Sequence, residues 1–374
     1  MKPMRKMVLL NVGPVLVSDK IRTALLQPDL CHREVEFTEI LNNVRRKLTK
    51  VFRGDHQYTT IIFGGSGTAS LEAVISSVIR KGKLLILSNG YYGEKIERIA
   101  NIHNIDTRIL KYGWGERIKE SEVESILKSD AKINFVAMVH NETSVGMLNR
   151  ITSIGRLISK YERVFIVDAI SSVGVEDLDV VRDNIHFCVG SPNKCIESIP
   201  GLSFVCANKQ ELEKLKGLPP NTSYLDLYNY YAYEEGLGER IGTPFTPPVQ
   251  TFYAIDVALD MLSEEGIEKR RIRYASMAKI IRDGLEKLGF KLFLPPEHRC
   301  NSITSIITPK NISYRTIHDK LKEKGFIIYA GQGNLEEKMF RVGNMGVLTI
   351  KDVNRFLGSL RSILEELDEY PSYS

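Results

Sequence analysis

Apolar residues in this chain gather into short runs rich in β-branched side chains, and amphipathic stretches fill the intervals. The runs predict strands over Thr59–Gly64, Lys83–Ser88, Thr107–Tyr112, Ile133–Val139, Arg163–Val167, His186–Val189 and Leu202–Ala207. Helical spacing appears between them over Ser70–Arg80, Gly93–Asn101, Glu120–Lys128 and Ile151–Lys160. Runs that are apolar on both faces and alternate with helices belong to a parallel sheet covered on both sides. The run at Leu202 follows Pro200-Gly201 closely, which allows it to pair antiparallel with its predecessor.

Residues 209–250 break the pattern with Pro219-Pro220, a set of tyrosines (Tyr224, Tyr228, Tyr230, Tyr231, Tyr233) and Pro244, Pro247 and Pro248. They predict a long irregular connection with short helices, a feature that is usually functional in a compact domain. Two long helical patterns follow, Val249–Glu264 and Ile267–Leu288, and then shorter elements at Lys291–Leu294, Ser302–Ile307, Tyr314–Lys324, Phe326–Tyr329, Phe340–Val342 and Lys351–Glu366. The expected architecture is α/β. A large domain over residues 21–264 holds a mostly parallel seven-stranded sheet between helices, and a smaller α+β domain covers 265–374. Residues 1–20 form a segment packing near the smaller one.

Composition narrows the function classes. The net charge of +5, from 51 basic and 46 acidic residues, is slight for 374 residues, and the basic side chains lie beside acidic ones. Solvated helix faces explain them better than a nucleic-acid surface. The five cysteines form no CxxC pair, which argues against a zinc site or a disulfide framework and fits a reducing cytoplasm. No stretch approaches membrane-spanning length, and the apolar run ending at Leu10 is too short for a signal peptide.

The chemistry collects where predicted strands end, the edge at which parallel sheets bind ligands. After the first strand comes Gly64-Gly65-Ser66-Gly67-Thr68-Ala69, a glycine turn into a helix start with two hydroxyls, suited to a phosphate. It matches neither a Walker A loop nor a dinucleotide fingerprint. Ser88-Asn89-Gly90-Tyr91-Tyr92-Gly93 places aromatic rings at a strand end, where one can stack on a flat cofactor. His140-Asn141-Glu142-Thr143 puts polar groups at another, with Asn141 and Thr143 as hydrogen-bonding candidates and His140 as a packed residue. Asp168 ends the run Val164–Val167, and Lys194 follows the run Phe187–Val189. A buried acid needs a cationic partner, and a buried lysine is biased toward the neutral amine that forms imines. An amine and a carboxylate at neighbouring strand ends are what a pyridoxal phosphate enzyme needs: the lysine holds the cofactor and the acid keeps its ring nitrogen protonated. Arg341, within the apolar Met339–Val342 pattern, suits a substrate carboxylate or phosphonate; a structural ion pair is the rival reading.

These motifs occur in a recognisable order. Together with Asn11-Val12-Gly13-Pro14, His32-Arg33-Glu34-Val35-Glu36-Phe37, Asn193-Lys194-Cys195-Ile196 and Phe340-Arg341-Val342-Gly343-Asn344, they resemble the class V, fold-type I pyridoxal phosphate aminotransferases over nearly the whole chain. Within that family the chain is most similar to the branch that transaminates 2-aminoethylphosphonate with pyruvate. The resemblance implies that Lys194 forms the imine and shuttles the proton, Asp168 pairs with the ring nitrogen, Tyr92 stacks on the ring and Thr143 meets its hydroxyl. Ser66, Gly67, Thr68 and Ser191 would hold the phosphate, Thr246 would reach the cofactor of a neighbouring subunit in a homodimer, and Arg341 would bind the substrate's acidic group. It implies small amine and 2-oxo acid substrates and no metal. Two departures flank the lysine: Pro192, and Glu197-Ser198 where the family commonly has glycine. Other readings are a related class V aminotransferase of alanine–glyoxylate or serine–pyruvate type, a lyase or desulfurase with a mobile cysteine, and a non-catalytic binding protein of the same fold.

Overall fold

The computed structural model describes residues 6–237 and 241–373. Residues 1–5, at the head of the expected N-terminal segment, and 238–240 and 374 lie outside them. In chain order the first elements are β1 (Val8–Leu9), α1 (Asp19–Ala24), α2 (Val35–Val51), β2 (Tyr58–Gly64), α3 (Gly67–Val78), β3 (Lys83–Ser88), α4 (Tyr91–Ile102), β4 (Thr107–Lys111), α5 (Glu120–Ser129) and β5 (Ile133–Val139). A two-residue ladder joins β6 (Asn141–Glu142) to β7 (Met147–Leu148). Then come α6 (Ile151–Lys160), β8 (Val164–Asp168), β9 (Phe187–Gly190), β10 (Leu202–Asn208), α7 (Lys209–Glu213), α8 (Leu227–Glu234), α9 (Val249–Glu265) and α10 (Ile267–Lys287). The remainder is β11 (Ile303–Ile307), α11 (Tyr314–Glu323), β12 (Phe326–Ile327), β13 (Tyr329–Ala330), β14 (Met339–Gly343) and α12 (Ile350–Leu367).

The seven predicted strands form one sheet in the order β2-β10-β9-β8-β5-β3-β4. All neighbours are parallel except β10, which runs antiparallel to both β9 and β2. Except at its edge strand β4, the sheet is buried on both faces, and successive residues point to opposite sides. Leu85, Leu87, Val136, Met138, Phe165 and Val167 enter a core shared with α2, α5, α6 and α9, whereas Leu84, Ile86, Ala137, Val139 and Ile166 enter one shared with α3 and α4. Because β2, β3, β5, β8 and β9 run the same way, Gly64, Ser88, Val139, Asp168 and Gly190 end on one edge.

Two helices begin earlier than the amphipathic pattern predicts, α3 by three residues and α4 by two. The start of α3 at Gly67 follows the Gly65-Ser66 turn directly, Gly65 taking φ +141°. Helix α4 runs through Gly93, which is a packing position: a Cβ there would sit 2.6 Å from Ser88 Oγ. Lys291–Leu294 forms no strand, only a single bridge from Leu292 to Ile306.

Beyond α10, a three-stranded antiparallel sheet (β11-β14-β13) packs with α10, α11 and α12 around Phe326, Phe340, Phe356 and Ile317. Val8 and Leu10 join that core, and β1 pairs parallel with β12. The N-terminal segment then crosses β14, so closely that a Cβ on Gly343 would lie 2.3 Å from Asn11 O. No helix among the described residues is long and apolar enough to cross a membrane.

Candidate active site

Lys194 lies in the turn that leaves β9 and is 8% exposed, so it does not reach solvent as a surface lysine would. Burial lowers its pKa from 10.5 to about 8, against the attraction of Asp168. Its Nζ donates to Thr143 Oγ1 at 3.4 Å and stands 5.4 Å from the centre of the Tyr92 ring. Gly13 covers its stem: a Cβ there would meet Lys194 Cγ at 3.2 Å, and φ is +110°. The loop is braced from α10. Arg270 Nη1 donates to the carbonyls of Cys195 and Ile196 at 3.2 and 3.4 Å. Glu197, at φ +66°, accepts from Tyr274 Oη at 2.7 Å and Arg273 Nη2 at 3.0 Å. This is the position where the resemblance departs from glycine, and the ion-paired carboxylate holds it in the left-handed region instead. Pro192 closes the same turn, its carbonyl accepting from Ser198 N–H at 2.8 Å.

Asp168 ends β8 and is 3% exposed. Its Oδ1 accepts from Ile170 N–H at 2.9 Å, which is the turn-capping role of an isolated Asp, while Oδ2 takes no hydrogen bond among the described residues. No cation among the described residues lies within ion-pair distance, and burial pushes the carboxyl up. Thr143 Oγ1 donates to Ser171 Oγ at 2.7 Å, and its carbonyl accepts from Arg341 Nη1 at 3.0 Å. Asn141 does not face the site with a free amide: it donates to Ser171 O at 2.9 Å and Ser302 Oγ at 3.1 Å. His140 is buried and held neutral, its pKa lowered to about 4 by desolvation. Cys195 is buried with Sγ on Ser171 O at 3.3 Å, and burial pushes its thiol far up. It is not the mobile nucleophile a desulfurase uses.

Arg341 is 5% exposed on β14. Its Nε donates to Ala330 O at 3.0 Å, and its Nη1 also reaches Gln332 Oε1 at 3.4 Å. Nη2 has no partner among the described residues, and no carboxylate pairs with the guanidinium. The structural ion pair weighed for this residue is therefore absent from the described residues, and a cationic donor remains open.

Glu142 was not singled out as a site residue from sequence. It is fully buried in β6, just beyond β5, and accepts from Tyr92 N–H at 3.1 Å, Gly93 N–H at 3.2 Å, Ser144 N–H at 3.1 Å and Ser144 Oγ at 2.6 Å. The N-cap of α4 is Gly90, which has no side chain to offer. Glu142 caps the helix from another strand, and a Cβ on Gly90 would lie 2.3 Å from its Cγ. Tyr92 is fixed in this way against Lys194. The signal in the sequence was a glutamate inside an otherwise buried strand end beside a glycine-started helix.

At the end of β2, Ser66 caps α3 without a side-chain bond to the helix, Gly67 packs where a Cβ would meet Ile170 Cδ1 at 2.6 Å, and Thr68 Oγ1 accepts from Lys95 Nζ at 2.7 Å. Ser191 is buried, and its hydroxyl has no partner among the described residues. Thr246 is exposed in the 243–248 loop, which Arg33 holds through the carbonyls of Thr243 and Pro244 at 2.8 and 3.3 Å; it touches none of these groups within the chain.

The open valences match pyridoxal phosphate: a buried carboxylate oxygen for a protonated ring nitrogen, a buried neutral-leaning amine for an aldehyde, an aromatic face beside both, and hydroxyls without acceptors for a phosphate. The profile of the family described as Aminotransferase class-V matches residues 23–356. A protein of Phocaeicola vulgatus named 2-aminoethylphosphonate–pyruvate transaminase is 36% identical over 366 residues, 96% of this chain and 99% of that one. A protein of the same name from Vibrio vulnificus is 37% identical over 362 residues, covering 96% and 97%. Among solved structures, the pyridoxamine–pyruvate aminotransferase of Mesorhizobium loti superposes with a TM-score of 0.91 at 25% identity, covering 98% of this chain and 94% of that one.

Proposed function

The chain belongs to the class V aminotransferase family, and on that premise we propose that it passes the amino group of 2-aminoethylphosphonate to pyruvate, giving phosphonoacetaldehyde and L-alanine in two half-reactions. The observation that carries this reading is Arg341, a buried guanidinium with no carboxylate partner among the described residues, joined to Lys194 through the single residue Thr143. Both substrates present an acidic group at one end, and the unpartnered Nη2 with the charge of the guanidinium serves each in turn. Relatives of nearly the full length that carry this activity in their names support the choice of substrate.

Pyridoxal phosphate, when bound, supplies an aldehyde that takes up the amino group and a ring that accepts the electron pair released at the substrate carbon. Lys194 would hold it through Nζ and would move the proton at the substrate carbon, work suited to an amine with a pKa near 8. Asp168 would accept the ring N–H through Oδ2 and supply the opposing charge. Tyr92 would cover the ring, Thr143 would meet the ring hydroxyl, and Ser66, Gly67, Thr68 and Ser191 would hold the phosphate. Burial of Lys194, Asp168 and Thr143 keeps water away and strengthens these interactions.

We propose in addition that the enzyme works as a homodimer in which Thr246 of one copy reaches the phosphate held by the other. The loop is exposed, and Arg33 fixes its course. A protein that sediments as a monomer at working concentration and turns over fully would refute this part.

The test of the activity is direct. Protein loaded with pyridoxal phosphate and given 2-aminoethylphosphonate and pyruvate should form alanine and phosphonoacetaldehyde in equal amounts. Transfer from serine or alanine to glyoxylate, with 2-aminoethylphosphonate untouched, would overturn the substrate assignment and leave the family standing.

A further inference from the structure

We infer that Lys95 is a ligand of the cofactor phosphate, the cation that completes the hydroxyl cup at the start of α3; this rests on the cofactor reading above. Lys95 lies one helical turn beyond Tyr92 on α4, so both side chains project from the same face. Its Nζ reaches Thr68 Oγ1 at 2.7 Å and stands 5.5 Å from the centre of the Tyr92 ring. Lys194 Nζ lies 5.4 Å from the same centre, so one ring adjoins two amines of different surroundings. Lys194 is bonded to Thr143, toward Arg341; Lys95 is bonded to Thr68, in the first turn of α3.

Lys95 is half-buried yet has no carboxylate within ion-pair distance among the described residues, where most lysines of comparable burial here, such as Lys47 and Lys83, have one. An ammonium that donates only to a neutral hydroxyl leaves two N–H groups and its charge unanswered. The bond also orients Thr68. With one lone pair taken by Lys95, the hydroxyl keeps its proton for a further acceptor. Neither Ser66 Oγ nor Ser191 Oγ donates to any described residue. Three hydroxyl donors, the amides of a helix start and one cation thus lack an acceptor, and a phosphate dianion satisfies all of them. The substrate's acid is a poorer match for Lys95, because Arg341 is the open cation on the Thr143 side.

The test separates the phosphate from the rest of the cofactor. Apoprotein is titrated with pyridoxal phosphate and, separately, with pyridoxal, which lacks the phosphate, following the visible absorbance of the lysine-bound ligand. Lys95→Met should weaken pyridoxal phosphate on the order of tenfold to a hundredfold, the worth of one charge-assisted hydrogen bond, and leave pyridoxal within about twofold. Lys95→Arg should keep most of the affinity. Inorganic phosphate should raise the thermal midpoint of wild-type apoprotein and not that of Lys95→Met. Unchanged affinity for pyridoxal phosphate in Lys95→Met, or an equal loss for both ligands, overturns the inference. A wild-type protein that binds neither ligand would instead sink the cofactor reading itself.

Discussion

Replacing Glu197 by Gly and by Ala separates two forces acting on the loop that carries Lys194. The native residue sits at φ +66°, a region that costs an L-residue about 1 kcal/mol and a glycine almost nothing. Its carboxylate accepts from Tyr274 Oη at 2.7 Å and Arg273 Nη2 at 3.0 Å, with Arg270 Nη2 at 3.8 Å. Removing one partner of a buried ion pair costs about 3–5 kcal/mol. Arg270 and Arg273 both keep Glu265, at 2.7 and 2.6 Å, so the lower end applies. Glu197→Ala loses the carboxylate and retains the left-handed cost, a destabilisation of about 3 kcal/mol. Glu197→Gly recovers about 1 kcal/mol of that through its backbone freedom. Urea unfolding of the cofactor-loaded protein should therefore rank wild type above Gly above Ala. Because Glu197 N–H also donates to Lys194 O at 3.0 Å, both variants should lose cofactor faster on dilution. An Ala variant as stable as wild type, or a Gly variant less stable than Ala, would refute the reasoning.

Other expectations follow from the same geometry. Cofactor capture by apoprotein should accelerate with pH and level off near 8, since Lys194, lowered to about 8, must lose its proton to react. At pH 7 roughly a tenth of it is neutral, against roughly one part in three thousand for an ordinary lysine, so a rate still climbing at pH 10 in stopped-flow absorbance would contradict the assignment. The sign for stability is the reverse of the usual lysine case: the depressed pKa makes the apoprotein lose stability as pH falls from above 10.5 through about 8. Asp168→Asn keeps an acceptor for Ile170 N–H but loses the charge; turnover should fall on the order of a hundredfold or more with little change in thermal midpoint, and undiminished turnover would remove Asp168 from the mechanism. In Glu142→Gln the amide N–H₂ must face donors, because both carboxylate oxygens accept from backbone N–H groups. Loss of about 1–3 kcal/mol is expected, together with weaker cofactor binding through Tyr92; calorimetry showing wild-type stability would argue against the capping role.

The sheet was legible because most of its strands are dominated by apolar runs, and strand ends are where such sheets bind ligands. Lys194, Asp168, Thr143 and Arg341 stood out as polar residues attached to those runs, and the structure brings all four together. Helix α2 was readable in principle: Phe37, Leu41, Val44 and Leu48 recur at helical spacing and are buried. Glu142 and Lys95 were not legible, because their roles depend on partners in other elements. A lysine three positions after Tyr92 carries no mark of the threonine 27 residues earlier that it meets. The departure from glycine at Glu197 was visible, but its physical reason lies in Arg273 and Tyr274, on a helix more than seventy residues away.

The pairing of Val8 with Phe326 bears on the order in which the protein assembles. Chain synthesis makes the segment that covers Lys194 before the sheet, yet its strand partner and the β14 surface it crosses are made some three hundred residues later. Closing a loop of that length costs roughly 5 kcal/mol by logarithmic scaling, so the pairing waits until the sheet and the later helices have collapsed and shortened the path. A nascent chain can complete the seven-stranded sheet and expose Lys194 while Gly13 still hangs free. The wall over the lysine can close only after β12 and β14 are made, so retention of the cofactor by that wall waits for the C-terminal strands.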